Sequence, residues 1–181
     1  MGASGRCFPP APKSMPWRQR RIKAMNPVSA VKAYLADHPR ARAIDIAAAV
    51  GCTEADALAA LSEGVWRLEA GLLDEVLAEI FGWARVMVLV RNQNGVAEVT
   101  VPGGLASRRG DWLNWIDPAY NLHLRVGATV EILALTRPGK NGLTCSFNLV
   151  DEGGRVFCRF YARTPATQKR FLSFVQNYPT T

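Results

Sequence analysis

The chain has 181 residues, 49% of them hydrophobic, which suits one domain with a small appendage and a sizeable core. Six units of its net charge of +7 come from the first 24 residues, which carry six basic side chains and no acidic one, leaving 16 basic against 15 acidic residues elsewhere. The body therefore lacks the broadly basic face of a nucleic-acid-binding protein, and no apolar run is long enough for a signal peptide or a membrane span. These features predict a cytoplasmic protein with no nucleic-acid or membrane partner.

Composition and periodicity divide the chain into three segments. Residues 1–25 are basic and rich in Pro, Gly and Ser, so we expect a disordered tail, with Met25 as an alternative start. Residues 26–82 carry helical periodicity and predict a helical subdomain. Residues 83–178 change to strand periodicity and end in helical periodicity, which predicts an antiparallel sheet plus a C-terminal helix.

The helical segment resembles a helix-turn-helix. Asn26 is a candidate N-cap of the first helix, Gly51 ends the second, and Thr53 caps the third. A DNA-recognition helix needs Arg, Lys, Asn or Gln near its N-terminus, whereas the third helix offers Glu54 and Asp56 and no basic residue. We therefore expect a structural subdomain, with a DNA-binding regulator as the alternative.

A fourth amphipathic helix ends at Gly82, and the following strands predict an antiparallel meander. The expected strands and final helix cover 86–90, 96–101, 121–125, 129–137, 143–151, 156–162 and a helix from Thr164-Pro165. Turn sequences such as NQNG and EGGR separate these strands. Helices, a meander and a last helix together predict an α+β fold.

The stretch 110–137 contains the most distinctive chemistry. Asn121, His123 and Arg125 alternate with two leucines, so a strand would place the three polar side chains on one face. Trp112 and Trp115 bring two indoles to the loop before that strand. An imidazole, a guanidinium and two indoles could line a site for a flat, anionic, metal-bearing ligand, although an ordinary strand with one solvated face explains the same pattern.

The run N-x-x-D-P-x-x-N-L-H-L-R at 114–125, with the later TCSFNLVDEGGRVFCRFYA, resembles the bacterial cytoplasmic haem-utilisation proteins. The resemblance covers residues 31–175. In length the chain is closer to the short ChuX/HutX type than to the long HemS/ChuS type, which has two similar halves. It implies a homodimeric carrier that delivers or buffers imported haem, with a haem-degrading enzyme as a potential acceptor. Haem breakdown by the chain itself, or haem-responsive DNA binding, are the alternatives that this resemblance leaves open.

The resemblance also implies roles for individual residues. His123 is the candidate axial ligand to haem iron, and Arg91 occupies a position where short-type members have a second histidine. An arginine stays protonated and cannot ligate iron, but it can pair with a propionate. The further candidates are Arg125 and Arg137 for propionates, Trp112 and Trp115 for packing on the porphyrin, and Tyr120 as a substitute ligand. The chain has no C-x-x-C-H motif for covalent attachment, so any haem is expected to bind non-covalently, and no catalytic set of residues is apparent.

Overall fold

The computed structural model describes residues 27–92, 94–139 and 142–180. Within these ranges the helices are α1 (Pro27–Asp37), α2 (Ala43–Val50), α3 (Glu54–Ala60), α4 (Leu73–Phe81) and α5 (Pro165–Val175). The strands are β1 (Gly64–Glu69), β2 (Val86–Asn92), β3 (Gly95–Val101), β4 (Ala106–Arg109), β5 (Trp112–Asp117), β6 (Tyr120–Arg125), β7 (Glu131–Gly139), β8 (Gly142–Val150) and β9 (Val156–Ala162). The predicted α+β class, with N-terminal helices and a C-terminal helix, is confirmed.

The strands form two antiparallel sheets. Six strands pair in the order β1-β7-β8-β9-β2-β3, and the other three pair in the order β4-β5-β6. Only β7, β8 and β9 follow one another as a meander within the larger sheet. Pairing of β2 with β9, and of β1 with β7, joins segments that are far apart in the chain.

Three strands lie where the sequence predicted none. Strand β1 interrupts the segment 26–82 that was predicted as helical, and it pairs along its whole length with β7. Its Arg67 bridges Asp56 of α3 and Glu131 of β7, each at 2.7 Å. Strands β4 and β5 replace the loop that was expected before the His123 strand. Pairing with a distant partner, rather than a local pattern, makes these segments strands.

The two faces of the six-stranded sheet bury separate cores. One face packs against α4, α5 and the inner side of the three-stranded sheet, around Phe147, Phe160 and Trp115. The opposite face packs against α1, α2 and α3, around Leu133 and Leu135. Because side chains alternate along a strand, neighbouring residues of β7 contribute to different cores.

Helix boundaries follow the predicted caps. Gly51 ends α2 with a φ of 74°, the left-handed conformation that glycine adopts at low cost. Thr53 accepts a hydrogen bond from the Asp56 amide at 3.0 Å, and Thr164 caps α5. The predicted cap Asn26 and the predicted disordered tail 1–25 lie outside the described residues. None of the helices in the described ranges is long and apolar enough to cross a membrane.

Helix α3 is attached to the sheet by a buried carboxylate. Glu54 is 5% exposed, accepts a hydrogen bond from Arg159 of β9 at 2.8 Å, and accepts another from the Val156 amide at 3.1 Å. On a DNA-recognition helix Glu54 would be a surface charge, whereas in the structure it points inward. A carboxylate in this position is a structural anchor between the helical segment and the sheet.

Candidate functional site

The solvent-facing side of the three-stranded sheet, here called the outer face, carries the residues of the 114–125 run. Its members are Ser107 and Arg109 on β4, Trp112, Asn114 and Ile116 on β5, and Asn121, His123 and Arg125 on β6. The residues between them on β5 and β6, including Leu113 and Leu124, point into the core. The alternation predicted for the His123 strand is therefore present, and β5 repeats it.

His123 is held by its cross-strand neighbour. Asn114 lies directly opposite His123, and its Oδ1 is 2.7 Å from the imidazole Nδ1. The Asn114 amide group donates to the Trp112 carbonyl at 3.3 Å, which orients Oδ1 toward the ring. Since a carbonyl oxygen only accepts, Nδ1 carries the proton, and in the neutral imidazole Nε2 then keeps its lone pair. This is the arrangement in which a histidine is ready to bind a metal through Nε2.

Positive charge and exposed apolar surface lie beside the imidazole. Arg109, Trp112 and Arg125 form one cross-strand row, which is separated from His123 by two residues, about 7 Å along the strand. Trp112 is 47% exposed and Ile116 is 69% exposed, unusual values for large apolar side chains. Trp112 and Ile116 border an open depression of about 830 Å³, together with Ser107, Asn114 and His123. The outer face thus combines an imidazole, guanidinium groups and an indole.

Two of the predicted site residues lie on the other side of this sheet. Trp115 is fully buried, packs in the aromatic core with its ring tilted against Phe160, and donates from Nε1 to the Pro102 carbonyl at 3.0 Å. Tyr120 packs against the same core with Leu122. The sequence placed both tryptophans in one loop, but β5 is a strand, so residues 112 and 115 face opposite ways. Neither Trp115 nor Tyr120 is available to a ligand on the outer face.

Arg91 and Arg137 are also remote from His123. Both lie on the face of the six-stranded sheet that packs against α2 and α3, whereas the three-stranded sheet packs against the opposite face. Arg91 is 3.7 Å from Glu54, and Arg137 lies beside Leu58 of α3. The structure therefore brings together His123 and Trp112 at one depression, with Arg125 on the same face but 3.9 Å from Asp111 and outside the depression, and it places Arg91 and Arg137 elsewhere.

Four residues of the outer face were not predicted as site residues, namely Asn114, Ile116, Ser107 and Arg109. The signal for two of them was present in the Asp117-Pro118 turn. Asp117 pairs with Tyr120 across a two-residue turn, and this register places Asn114 opposite His123 and Ile116 opposite Asn121. Arg109 depends on the pairing of β4 with β5, which no local motif indicates.

The family of the chain is established by sequence, and its fold is shared with solved proteins. A model of the haemin-degrading HemS.ChuX domain matches residues 51–178. The heme-binding protein ChuX has 14% identity and a TM-score of 0.65, with 81% of this chain and 97% of that chain covered. The heme-degrading enzyme ChuS of Escherichia coli O157:H7 has 19% identity and a TM-score of 0.73, with 86% and 47% covered.

A third solved structure, holo-PhuS, a heme-binding protein from Pseudomonas aeruginosa, has 20% identity and a TM-score of 0.62, with 97% and 51% covered. This chain therefore spans about half the length of ChuS and PhuS and nearly all of ChuX. At these identities the likeness to the solved structures is one of fold. A search of curated proteins by sequence gave no match. Since the family model covers more than two thirds of the residues, the chain belongs to the HemS/ChuX domain family.

Proposed function

We propose that this protein is a cytoplasmic haem carrier, which binds imported haem non-covalently and delivers or buffers it. The observation that carries the proposal is the His123–Asn114 hydrogen bond on the outer face, which leaves Nε2 free and oriented. Membership of the HemS/ChuX family and the fold shared with the heme-binding proteins ChuX and PhuS support it.

The outer face fits the chemistry of haem. In the described part of the chain no cluster of three or more His, Cys, Asp or Glu side chains could hold a bare metal ion. Haem iron needs only an axial ligand from the protein, because the porphyrin supplies the others, and a single imidazole meets that need. Trp112 and Ile116 offer apolar surface to the macrocycle, while Arg109 and Arg125 can pair with carboxylates.

We also propose a homodimer formed through the outer face. A ligand lying on an open sheet has one side exposed to water, and the exposed Trp112 and Ile116 leave apolar surface around it uncovered. A second copy could cover this surface, since two-fold dimers are the commonest assembly of soluble proteins. A haem-degrading enzyme is the proposed acceptor, because a carrier that shields one side of haem must release it to another protein.

Haem breakdown by the chain itself is the second candidate function. It is favoured by the family description, haemin-degrading, and by the ChuS structure, a heme-degrading enzyme. The two functions differ in the fate of bound haem. If the haem complex is treated with a reductant in air, a carrier keeps haem that can be extracted unchanged, whereas an enzyme converts it to an open-chain product with loss of the main absorption band.

The carrier proposal is tested by titrating the protein with hemin and recording its visible spectrum. We expect saturation at about one haem per chain, and we expect His123→Ala to shift the Soret band and weaken binding at least about tenfold, through loss of the axial bond. His38→Ala is the matched control. His38 is the other histidine of the chain, lies exposed after α1 and stacks on Tyr34.

An unchanged spectrum and affinity in His123→Ala would show that the ligand lies elsewhere. Arg125→Ala separates the ligand from the carboxylate contacts. It should weaken binding without moving the band, because a propionate contact leaves the iron coordination intact. An equal loss in His38→Ala and His123→Ala would indicate non-specific adsorption of hemin rather than a site.

A further inference from the structure

A second, smaller cavity lies on the opposite side of the molecule, between α3 and the six-stranded sheet. Its volume is about 130 Å³, room for about four waters. The polar residues that line it are Arg137, Thr144, Ser146, Asn148, Arg159 and Tyr161. These side chains come from three neighbouring strands, β7, β8 and β9, so the sheet itself holds them in place.

Arg137 is a half-buried cation in this cavity that no carboxylate neutralises. All 15 acidic side chains of the sequence lie in the described ranges, and none of them forms an ion pair with Arg137. Burial, and to a lesser degree the nearby charge of Arg159, lowers the pKa of the Arg137 guanidinium. An arginine held in this way is stabilised when an anion enters beside it.

The surrounding polar atoms are also incompletely bonded. Arg159 is 7% exposed and its Nε is a buried donor with no acceptor among the described residues. Ser146 Oγ accepts from Asn148 Nδ2 at 3.0 Å, so its own proton is free to donate. Tyr161 and Thr144 contribute hydroxyl groups that make no side-chain hydrogen bond within the described ranges. The cavity is therefore lined mainly by donors.

One residue of the cavity wall, Asn148, has an acceptor without a donor. Asn148 Oδ1 is buried and accepts no hydrogen bond, while Asn148 Nδ2 donates to the Leu133 carbonyl at 2.8 Å and to Ser146. Because the amide nitrogen has these acceptors, the orientation of the amide is determined and Oδ1 remains the unpaired acceptor. A matching occupant has several acceptor oxygens, a negative charge and at least one proton.

We propose that this cavity is a binding site for inorganic phosphate. At neutral pH inorganic phosphate carries at least one proton, which can be donated to Asn148 Oδ1, and its other oxygens can accept from Arg137 and Tyr161. Sulfate has the same shape but no proton. A phosphate monoester has also lost its proton when the pH is above its second pKa of about 6. The cavity is far too small for a porphyrin and lies across the sheet from His123, so this site is distinct from the proposed haem site.

The test is calorimetric titration of the full chain with inorganic phosphate near pH 7, with sulfate and glycerol phosphate as competitors at constant ionic strength. We expect phosphate to bind at one site per chain and sulfate to bind at least about tenfold more weakly, the cost of leaving one acceptor unpaired. Arg137→Gln should weaken phosphate binding about tenfold or more. Arg85→Gln is the control, because Arg85 is exposed and lies away from the cavity.

Tyr161→Phe removes only a hydroxyl, and we expect it to weaken phosphate binding several-fold. It tests the proposal if Arg137→Gln does not fold. Equal affinity for sulfate and phosphate, unchanged binding in these variants, or no heat of binding at millimolar phosphate would overturn the proposal. Hemin titration separates the two sites. Arg137→Gln should bind hemin like the unmodified chain, and a loss of hemin binding would assign Arg137 to the haem site instead.

Discussion

At the scale of single residues, Asn114 determines what His123 can do. An isolated surface histidine exchanges between two tautomers and several ring orientations, and only one combination presents a lone pair on Nε2 to the open face. The 2.7 Å contact to Asn114 Oδ1 selects that combination, and the bond from Asn114 to the Trp112 carbonyl fixes the amide in turn. His123, the proposed iron ligand, and Asn114, which holds it, therefore come from two adjacent strands of one hairpin.

Substitutions of Asn114 test this support. Asn114→Leu preserves the size of the side chain but removes the acceptor, so the imidazole loses its orientation and we expect haem affinity to fall about tenfold. Asn114→Asp keeps an acceptor and should retain most of the affinity. Both are measured by hemin titration. Equal affinity in Asn114→Leu and the unmodified chain would mean that the hydrogen bond has no role in binding.

At the scale of secondary structure, the two indoles face opposite ways because β5 is a strand and not a loop. A loop could have presented Trp112 and Trp115 to the same ligand. In β5 their odd separation sends Trp112 outward, where it is 47% exposed, and Trp115 inward, where it is fully buried. One tryptophan is therefore available for binding, and the other stabilises the contact between the two sheets.

At the same scale, helix α3 is attached to the sheet by a buried charge. Glu54 accepts hydrogen bonds from Arg159 and from the Val156 amide, which joins the helical segment to β9. Both members of the pair are more than nine-tenths buried. Removing one partner of such a pair leaves a buried charge without compensation, which is the costly case for a buried ion pair.

We predict that Glu54→Ala lowers the free energy of unfolding by about 3 to 5 kcal/mol. Glu63→Ala is the control and should change it by less than about 0.5 kcal/mol, because Glu63 is exposed and forms no ion pair in the described ranges. Urea denaturation followed by circular dichroism measures both values. A loss below about 1 kcal/mol in Glu54→Ala would show that solvent readily reaches Arg159 in the unsubstituted chain.

At the scale of the whole molecule, the six-stranded sheet divides the chemistry into two sides. His123 and the outer face lie on the side of α4 and α5, beyond the smaller sheet, and the arginine-lined cavity lies on the side of α1, α2 and α3. In one protomer the proposed haem and phosphate sites are therefore separated by the full thickness of the sheet. A residue substituted in one site therefore makes no contact with the other site.

The proposed homodimer would be formed through the outer face. Ile116→Glu places a charge at the most exposed large apolar side chain of the outer face, and we expect it to convert a dimer to a monomer by light scattering at micromolar concentration. Val96→Glu is the matched control, since Val96 is 50% exposed but lies on β3 of the other sheet. Dissociation by Val96→Glu instead would place the interface on the edge of the larger sheet. A monomeric unsubstituted chain would contradict the dimer altogether.

The sequence by itself determined the α+β class, the caps at Gly51 and Thr53, the start of the last helix at Thr164-Pro165, and the polar face of the His123 strand. These features depend on the periodicity and backbone preferences of adjacent residues, which act within a few positions along the chain. Tertiary structure alone decided that β1 pairs with β7, that the strands divide into two sheets, and that Arg91 and Arg137 lie across the larger sheet from His123. Alternation tells which residues share a face, but the elements that cover each face are chosen by packing between distant segments, and that choice leaves no local pattern.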